Sequence, residues 1–385
     1  MAEGVTDKRL APLDRIRALG PSIDASAAAD EDRTELAAEV IQAIDDAGVF
    51  ALMAPRELGG EEAHPSDLID AIAELSYWDG SAGWYAHAVM TGGAVAGAFL
   101  GDKAAAAIFP EGRFAQAAGQ AAPTGKAERV GDGYRISGRY SFGSGTPHAQ
   151  WIVGGYVLHD GGNPVIGPHG QPVMLIGLVP RETVRFLGNW DVLGLRGTGS
   201  YDFEVTEQVL HEDFFLNPGN AVQQRGGALY RMGFMALPCI SHGAFAIGAG
   251  RRMLDEWRSF AQNKGRAATQ TFQRDFALCT ARLHAAEAYL HQTFTRLFDA
   301  AEAGTITDDM RIDGRLSASN ALDVAVAIAQ TAYTAATTHA LRKGNAIERC
   351  FRDINAGNAH YLTAEQSLTD AGKVLAGVEG ARLVF

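Results

Sequence analysis

The 385-residue chain lacks several features that would place it quickly. It has three cysteines, Cys239, Cys279 and Cys350, odd in number and far apart. That excludes a disulfide framework and any C-x-x-C metal pattern, so no metal site is expected and the setting reads as reducing and cytoplasmic. Basic residues are in deficit: 33 Lys plus Arg against 45 Asp plus Glu leave a net charge of −12. Nucleic acid and anionic membrane, which both need a basic surface, are excluded as partners on that ground. No stretch approaches the ~20 apolar residues of a membrane span. The longest apolar tract, Ala86–Leu100, is rich in Ala and Gly and reads as a buried helix. Met1–Arg9 mixes Glu, Asp and Lys without an apolar run, so no secretory signal is expected there. Nucleotide motifs are absent too. There is no G-x-x-x-x-G-K-[ST] and no G-x-S-x-G, and Gly194–Gly199 (G-L-R-G-T-G) lacks the strand-to-helix context of a dinucleotide fingerprint. If the protein uses reducing equivalents, another protein must supply them.

What is present is 47% apolar residues, enough for a sizeable core, in a chain long enough for two or three domains. From Leu10 to about Phe109 the pattern is helical, with Glu35, Ala38, Val40, Ile41, Ile44 and Val49 at helical intervals. Ser66 is placed as the cap of a helix running to Tyr77, and Asp79 or Ser81 as the cap of the next, Ala82–Leu100. Residues 114–215 read as β-rich, with His159–Gln171 a Gly/Pro-rich exposed crossover. Beyond Gly226 long helices return. Phe272, Phe276, Cys279, Leu283, Ala286, Leu290, Phe294 and Leu297 form one apolar stripe, and helices near Leu229–Gln262, Ser317–Leu341 and Asn345–Gly377 complete four, the number an antiparallel bundle needs. The expected division is 1–113 helical, 114–222 β and 223–385 bundle: an α+β chain.

The most informative stretch is Gly125–Tyr156. Ala127–Val130 and Tyr134–Tyr140 read as a hairpin joined through Gly131-Asp132-Gly133. The second strand runs into Ser141-Phe142-Gly143-Ser144-Gly145 rather than an ordinary turn. Small residues there let a flat ligand approach the backbone, and the serines offer hydroxyls. From these residues alone, a tight loop without a ligand fits as well.

Three segments carry a resemblance. Gly125–Gly145 (G-K-A-E-R-V-G-D-G-Y-R-I-S-G-R-Y-S-F-G-S-G) resembles the central strands of the flavin-dependent monooxygenases built on the acyl-CoA dehydrogenase fold. Asn189–Val205 is similar to that family's W-x-x-x-G-x-R-G-T-G-S-x-D segment, and Arg352–His360 to its C-terminal R-D-x-x-A-x-x-x-H helix. Leu52–Gly60 is similar to its P-x-x-x-G-G entry to the third helix. The resemblance implies an acyl-CoA dehydrogenase-like fold with an N-terminal helical domain, a central β-barrel domain and a C-terminal four-helix bundle, assembled as a homotetramer. It implies reduced FMN or FAD delivered by a partner flavin reductase, with O2 as co-substrate and hydroxylation of a small aromatic or polycyclic molecule. Ser141, Phe142 and Ser144 would lie against the flavin, Ser144 near N5, and Arg266 would reach a neighbouring subunit's flavin phosphate.

The same fold also serves acyl-CoA dehydrogenation, which needs a carboxylate base from a Y-E-G-T-like C-terminal segment or from the first bundle helix. Here Asn345–Leu362 has no Y-E-G, and the helix begins Ala228-Leu229-Tyr230-Arg231-Met232. The region offers His360 instead. On a continuous helix it would share a face of small residues with Asp353, Ala356, Gly357, Thr363 and Ala364. A lone helical His is often structural, but by resemblance it is the active-site acid or base, and an ordinary pKa of ~6.5 suits that role. Trp84 and His87 either pack in the helical core or wall a substrate cavity. Two alternatives stay open: a dehydrogenase with a relocated base, and a non-catalytic flavin-binding subunit.

Overall fold

The structure is a computed structural model that describes residues 11–168, 170–363, 365–379 and 381. Met1–Arg9, His169 and Ala364 therefore lie outside the described residues, together with the readings made on them.

Five helices open the described chain: α1 (Pro12–Arg33), α2 (Ala38–Asp46), α3 (Pro65–Trp78), α4 (Gly80–Phe99) and α5 (Asp102–Ile108). The apolar tract is α4, and it is buried around almost its whole circumference, as a helix without a polar face must be. Only Asp79 separates α3 from α4, and its carboxylate accepts the Ala82 N–H at 2.8 Å, as expected of a cap. The cap of α3 is His64, not Ser66. Pro65 fixes the first turn, so the Ser66 N–H falls to His64 Nδ1 at 3.2 Å, and Ser66 Oγ pairs with Thr295.

Eight strands follow: β1 (Ala117–Val130), β2 (Gly133–Tyr140), β3 (Trp151–Asp160), β4 (Asn163–Pro164), β5 (Met174–Pro180), β6 (Val184–Gly188), β7 (Asp202–His211) and β8 (Phe215–Leu216). Val130 pairs with Gly133, so the hairpin turns on Gly131-Asp132, with Gly131 at φ 58° as a tight reversal requires. The sheet order is β6-β7-β2-β1-β3-β5-β8, with β4 on β3. β6 and β8 stay unpaired with one another, so the sheet is open and the expected closed barrel is not formed. Nor is His159–Gln171 a crossover, because it joins the antiparallel neighbours β3 and β5 and carries β4 as a short arm. The crossover is Ser141–Gln150. β1 and β3 run parallel on one side of β1 while β2 lies on the other, so this loop must pass across the N-terminal end of β1, where Ser144 bridges Gly119.

The chain closes with α6 (Ala228–Arg231), α7 (Ala236–Asn263), α8 (Gln270–Ala303), α9 (Asp308–Ala336), α10 (Ala346–Asn358) and α11 (Glu365–Leu375). The α8 stripe is buried from Cys279 to Leu297, and α9 packs on α7, α8 and α10. Two expectations are corrected. The first bundle helix starts at Ala236 after a separate turn of helix, and the last is broken after Asn358. Gly357 presses against Phe245 and Trp84, where a Cβ would sit 2.5 Å and 3.1 Å from their rings, and the His360 N–H closes a tightened turn onto the Gly357 carbonyl at 3.3 Å. His360 therefore lies in the bend beyond α10 rather than on a helical face. No helix among the described residues is long and apolar enough to cross a membrane.

Candidate active site

Four elements meet around Trp84: the crossover loop, the N-terminal half of α4, the first turns of α7, and the bend after α10. The loop is held from several sides. The Gly143 N–H donates to the Tyr201 carbonyl at 3.1 Å and Thr146 Oγ1 donates to the Gly143 carbonyl at 2.7 Å. Phe142 is driven to φ 65°, a conformation uncommon for a bulky residue, and its ring is 62% exposed. Trp190 lies edge-on to it at 6.1 Å, and Leu193 beyond is 83% exposed. Ser141 is exposed, its carbonyl accepting from Gln120 at 3.4 Å. The result is an apolar wall edged by hydroxyls.

Ser144 Oγ stands in a line of hydroxyls whose direction can be worked out. Thr198 Oγ1 donates to the Leu195 carbonyl at 2.8 Å, so its proton is committed there. Ser200 must then donate to Thr198 at 2.7 Å, and Ser144 to Ser200 at 2.8 Å. Trp84 Nε1–H donates to Ser144 at 3.1 Å. Ser144 is left with one lone pair and no free proton, so it can only accept from a ligand.

Behind Trp84, which is 6% exposed, lie three imidazoles. His87 from α4, His242 from α7 and His360 sit 4.7, 5.0 and 5.9 Å from the Trp84 ring, and His242 stacks 4.3 Å from His360. Burial holds all three below the ordinary histidine value: His87 well below, with His242 and His360 adding to the effect, His242 down to about 4, and His360 well below, with His242 contributing. His360 does not keep the ordinary ~6.5 expected from sequence. At neutral pH all three are uncharged, and His360 Nδ1 accepts the Leu362 N–H at 3.4 Å.

The site is braced by a second pair of groups. Asp353 on α10 accepts the Leu195 N–H at 2.6 Å, tying the Leu195–Ser200 hydroxyl line to the helix that leads to His360. Ser81 Oγ accepts the Gly197 N–H at 3.1 Å from the same loop. Burial, then the neighbouring Asp79, pushes the Asp353 carboxyl up to about 7, with Glu31 adding and the Leu195 N–H and Arg352 opposing. Burial likewise raises Asp79 to about 6 against the pull of Arg349.

This pair makes stability pH-dependent with a definite sign. Both folded-state values lie above the ordinary ~3.9 for aspartate. The stabilising, protonated state is complete at acid pH and is lost as pH rises from about 4 through about 7. Asp353→Asn can keep an acceptor for Leu195 while removing the charge. It is expected to raise stability at pH 8 by on the order of 2 kcal/mol and to flatten the melting temperature between pH 5 and 8. A variant with the wild-type slope would show that the pair is not responsible.

Of the residues singled out from sequence, Trp84, His87, Ser144 and His360 converge, with Ser141 and Phe142 on the same loop. Arg266 does not join them. It follows the far end of α7, roughly 30 Å along the helix from His242. There it donates to the Ala335 carbonyl at 2.8 Å and lies over the Phe260 ring. Sequence reasoning missed His242, Ser200 and Thr198. His242 was legible in principle as an imidazole within the small, apolar run Ala236–Gly250, the same signal that marked His360.

Comparisons with known proteins bear on the fold and on the class of relatives. Residues 240–365 match the acyl-CoA dehydrogenase C-terminal domain. The chain is 27% identical to the indole-3-acetate monooxygenase of Pseudomonas putida, over 96% of both chains. It is 24% identical to the flavin-dependent monooxygenase oxygenase subunit HsaA of Rhodococcus jostii, over 90% of this chain and 93% of that one. The crystal structure of 3-HSA hydroxylase from Rhodococcus sp. RHA1 superposes with a TM-score of 0.90 at 22% identity, covering 98% and 99% of the two chains. The fold is thus that of the acyl-CoA dehydrogenases: helices at both ends and a central mixed sheet. Within it, the relatives that match along most of the chain are an indole-3-acetate monooxygenase and a flavin-dependent monooxygenase oxygenase subunit.

Proposed function

We propose that the protein is the oxygenase component of a two-component flavin-dependent monooxygenase, taking reduced FMN or FAD from a separate flavin reductase and hydroxylating a small aromatic or polycyclic substrate with O2. The observation that carries this reading is the oriented hydroxyl line. Ser144 can only accept, and reduced flavin carries a hydrogen on N5 where oxidised flavin carries a lone pair. The exposed Phe142 ring and the half-buried Trp190 ring, with the Ser141 and Ser144 hydroxyls, also suit an isoalloxazine, which has an apolar body and a polar edge.

When bound, reduced flavin supplies the two electrons by which one atom of O2 enters the substrate and the other leaves as water. The chain's own residues have separate tasks. Ser144 fixes the flavin edge, and Trp84 and the surrounding rings exclude water. His360 is neutral at pH 7 and can take a proton from the substrate's O–H or N–H only at Nδ1, by giving up the long 3.4 Å contact from the Leu362 N–H. The dehydrogenase alternative finds no support in the buried carboxylates nearest the site, since Asp79 and Asp353 each hold a backbone N–H. A homotetramer with bundles packed together, in which Arg266 meets a neighbouring copy's flavin phosphate, belongs to the same proposal. So does a reducing cytoplasmic setting, in keeping with three free cysteines.

The test is turnover: the protein, a flavin reductase, NADH and O2 with a panel of phenols and indoles. Hydroxylated product is expected from at least one member. Release of hydrogen peroxide alone across the panel, or flavin bleaching by an acyl-CoA without O2, would overturn the reading.

A further inference from the structure

His242 is not needed to explain the flavin side of the site, yet its environment is specific. The Pro238 carbonyl one turn earlier on α7 lies 2.7 Å from His242 Nδ1. A carbonyl only accepts, so Nδ1 carries the ring proton and Nε2 is left as a bare lone pair. The residue is 4% exposed, and Nε2 meets no hydrogen-bond partner among the described residues. His87, also 4% exposed and 4.9 Å from His242, has an unpartnered Nε2 as well. A buried acceptor without a donor, beside a second unpartnered imidazole nitrogen, is costly in an interior where polar groups are nearly always paired. The rings around them, Trp84, Phe245 and His360, supply no cation or carboxylate; their faces suit a flat, neutral molecule.

We propose that His242 is a specificity-determining residue. Its Nε2, fixed as an acceptor by the Pro238 carbonyl, takes the O–H or N–H hydrogen of an aromatic substrate, so the site selects rings that carry a donor. This rests on the monooxygenase reading for the identity of the ligand as substrate, but the recognition itself requires no turnover. A site built to accept a hydrogen bond rejects the analogue that lacks the donor, because the buried acceptor is then left unpaired. In the resting complex this hydrogen lies on His242; His360, tilted against it at 4.3 Å, enters only in turnover, when the proton leaves the ring.

The experiment titrates the purified protein calorimetrically with indole and with 1-methylindole, which differ in the N–H. One series uses flavin-free protein and one uses protein saturated with reduced FMN under anaerobic conditions. Wild type is expected to prefer indole by on the order of 10- to 100-fold. His242→Phe should collapse the ratio to about 1 by weakening indole alone, whereas His242→Gln, whose amide oxygen can accept, should restore part of it. If His242→Phe does not fold, His242→Leu makes the same comparison. A ratio near 1 in wild type, or a preference that survives in His242→Phe or His242→Leu, overturns the inference. Because binding is read without O2, failure of the monooxygenase reading would show separately, as a preserved indole preference with no hydroxylated product.

Discussion

Replacing His360 by alanine is expected to lower product formation by ~10²–10⁴-fold, the usual range for a lost general acid or base. Folding and flavin affinity should be nearly intact. The residue is half-buried in a bend, its ring touching His242, Trp84 and Tyr361, and it holds the Leu362 N–H only at 3.4 Å. Such a loss is expected to cost about 1 kcal/mol. The pH profile gives an independent readout. Burial lowers the His360 pKa, so the acid limb of wild-type activity, where protonation removes the acceptor, should lie below pH ~6.5. That limb should disappear in His360→Ala. Earlier melting with near-normal turnover of the folded fraction would make His360 structural and leave the account without its acid-base group.

The second large effect is expected at Gly194, where the Asn189–Ser200 segment lies directly on α10. A Cβ there would stand 2.2 Å from the Arg352 carbonyl oxygen and 2.4 Å from its carbon. Neither atom can yield without moving the helix. Gly194→Ala must therefore lift the loop off α10, breaking the Leu195 N–H bond to Asp353 and displacing Thr198 and Ser200 from Ser144. A loss of about 2–4 kcal/mol in stability is expected, together with at least ten-fold weaker flavin binding. The control is Gly372→Ala in α11, where nothing lies within 4 Å of the added carbon. Alanine there should be neutral or mildly stabilising, because glycine is the poorer helix former. Equal melting temperatures for Gly194→Ala and wild type would show that loop and helix are not coupled.

Much of this arrangement was legible from local chemistry. Gly131-Asp132 between alternating strands determines the hairpin, the stripe from Phe272 to Leu297 determines α8, and three motif segments far apart in sequence come together as their order implied. Other features depend on distances that no local pattern encodes. Whether eight strands close into a barrel depends on whether β6 and β8 meet, and they do not. The break after Asn358 falls one residue beyond Gly357, which abuts Phe245 and Trp84, residues from two other helices. The Ser144–Ser200–Thr198 line joins positions 56 residues apart, and its direction follows only from the Leu195 carbonyl at its end. His242 was hidden by its own context. In an apolar helix a single imidazole looks structural until its unpartnered nitrogen is seen in a ring packed between two other imidazoles.

The central claim, that this chain places an oxygen atom from O2 onto an aromatic substrate, is tested most directly by isotope. Turnover with reduced flavin is run under 18O2 in ordinary water, and the hydroxylated product is weighed by mass spectrometry. The account predicts one 18O atom per product molecule, and none when 16O2 is supplied in H218O. Product whose oxygen comes from water, or 18O recovered only in hydrogen peroxide, would contradict it.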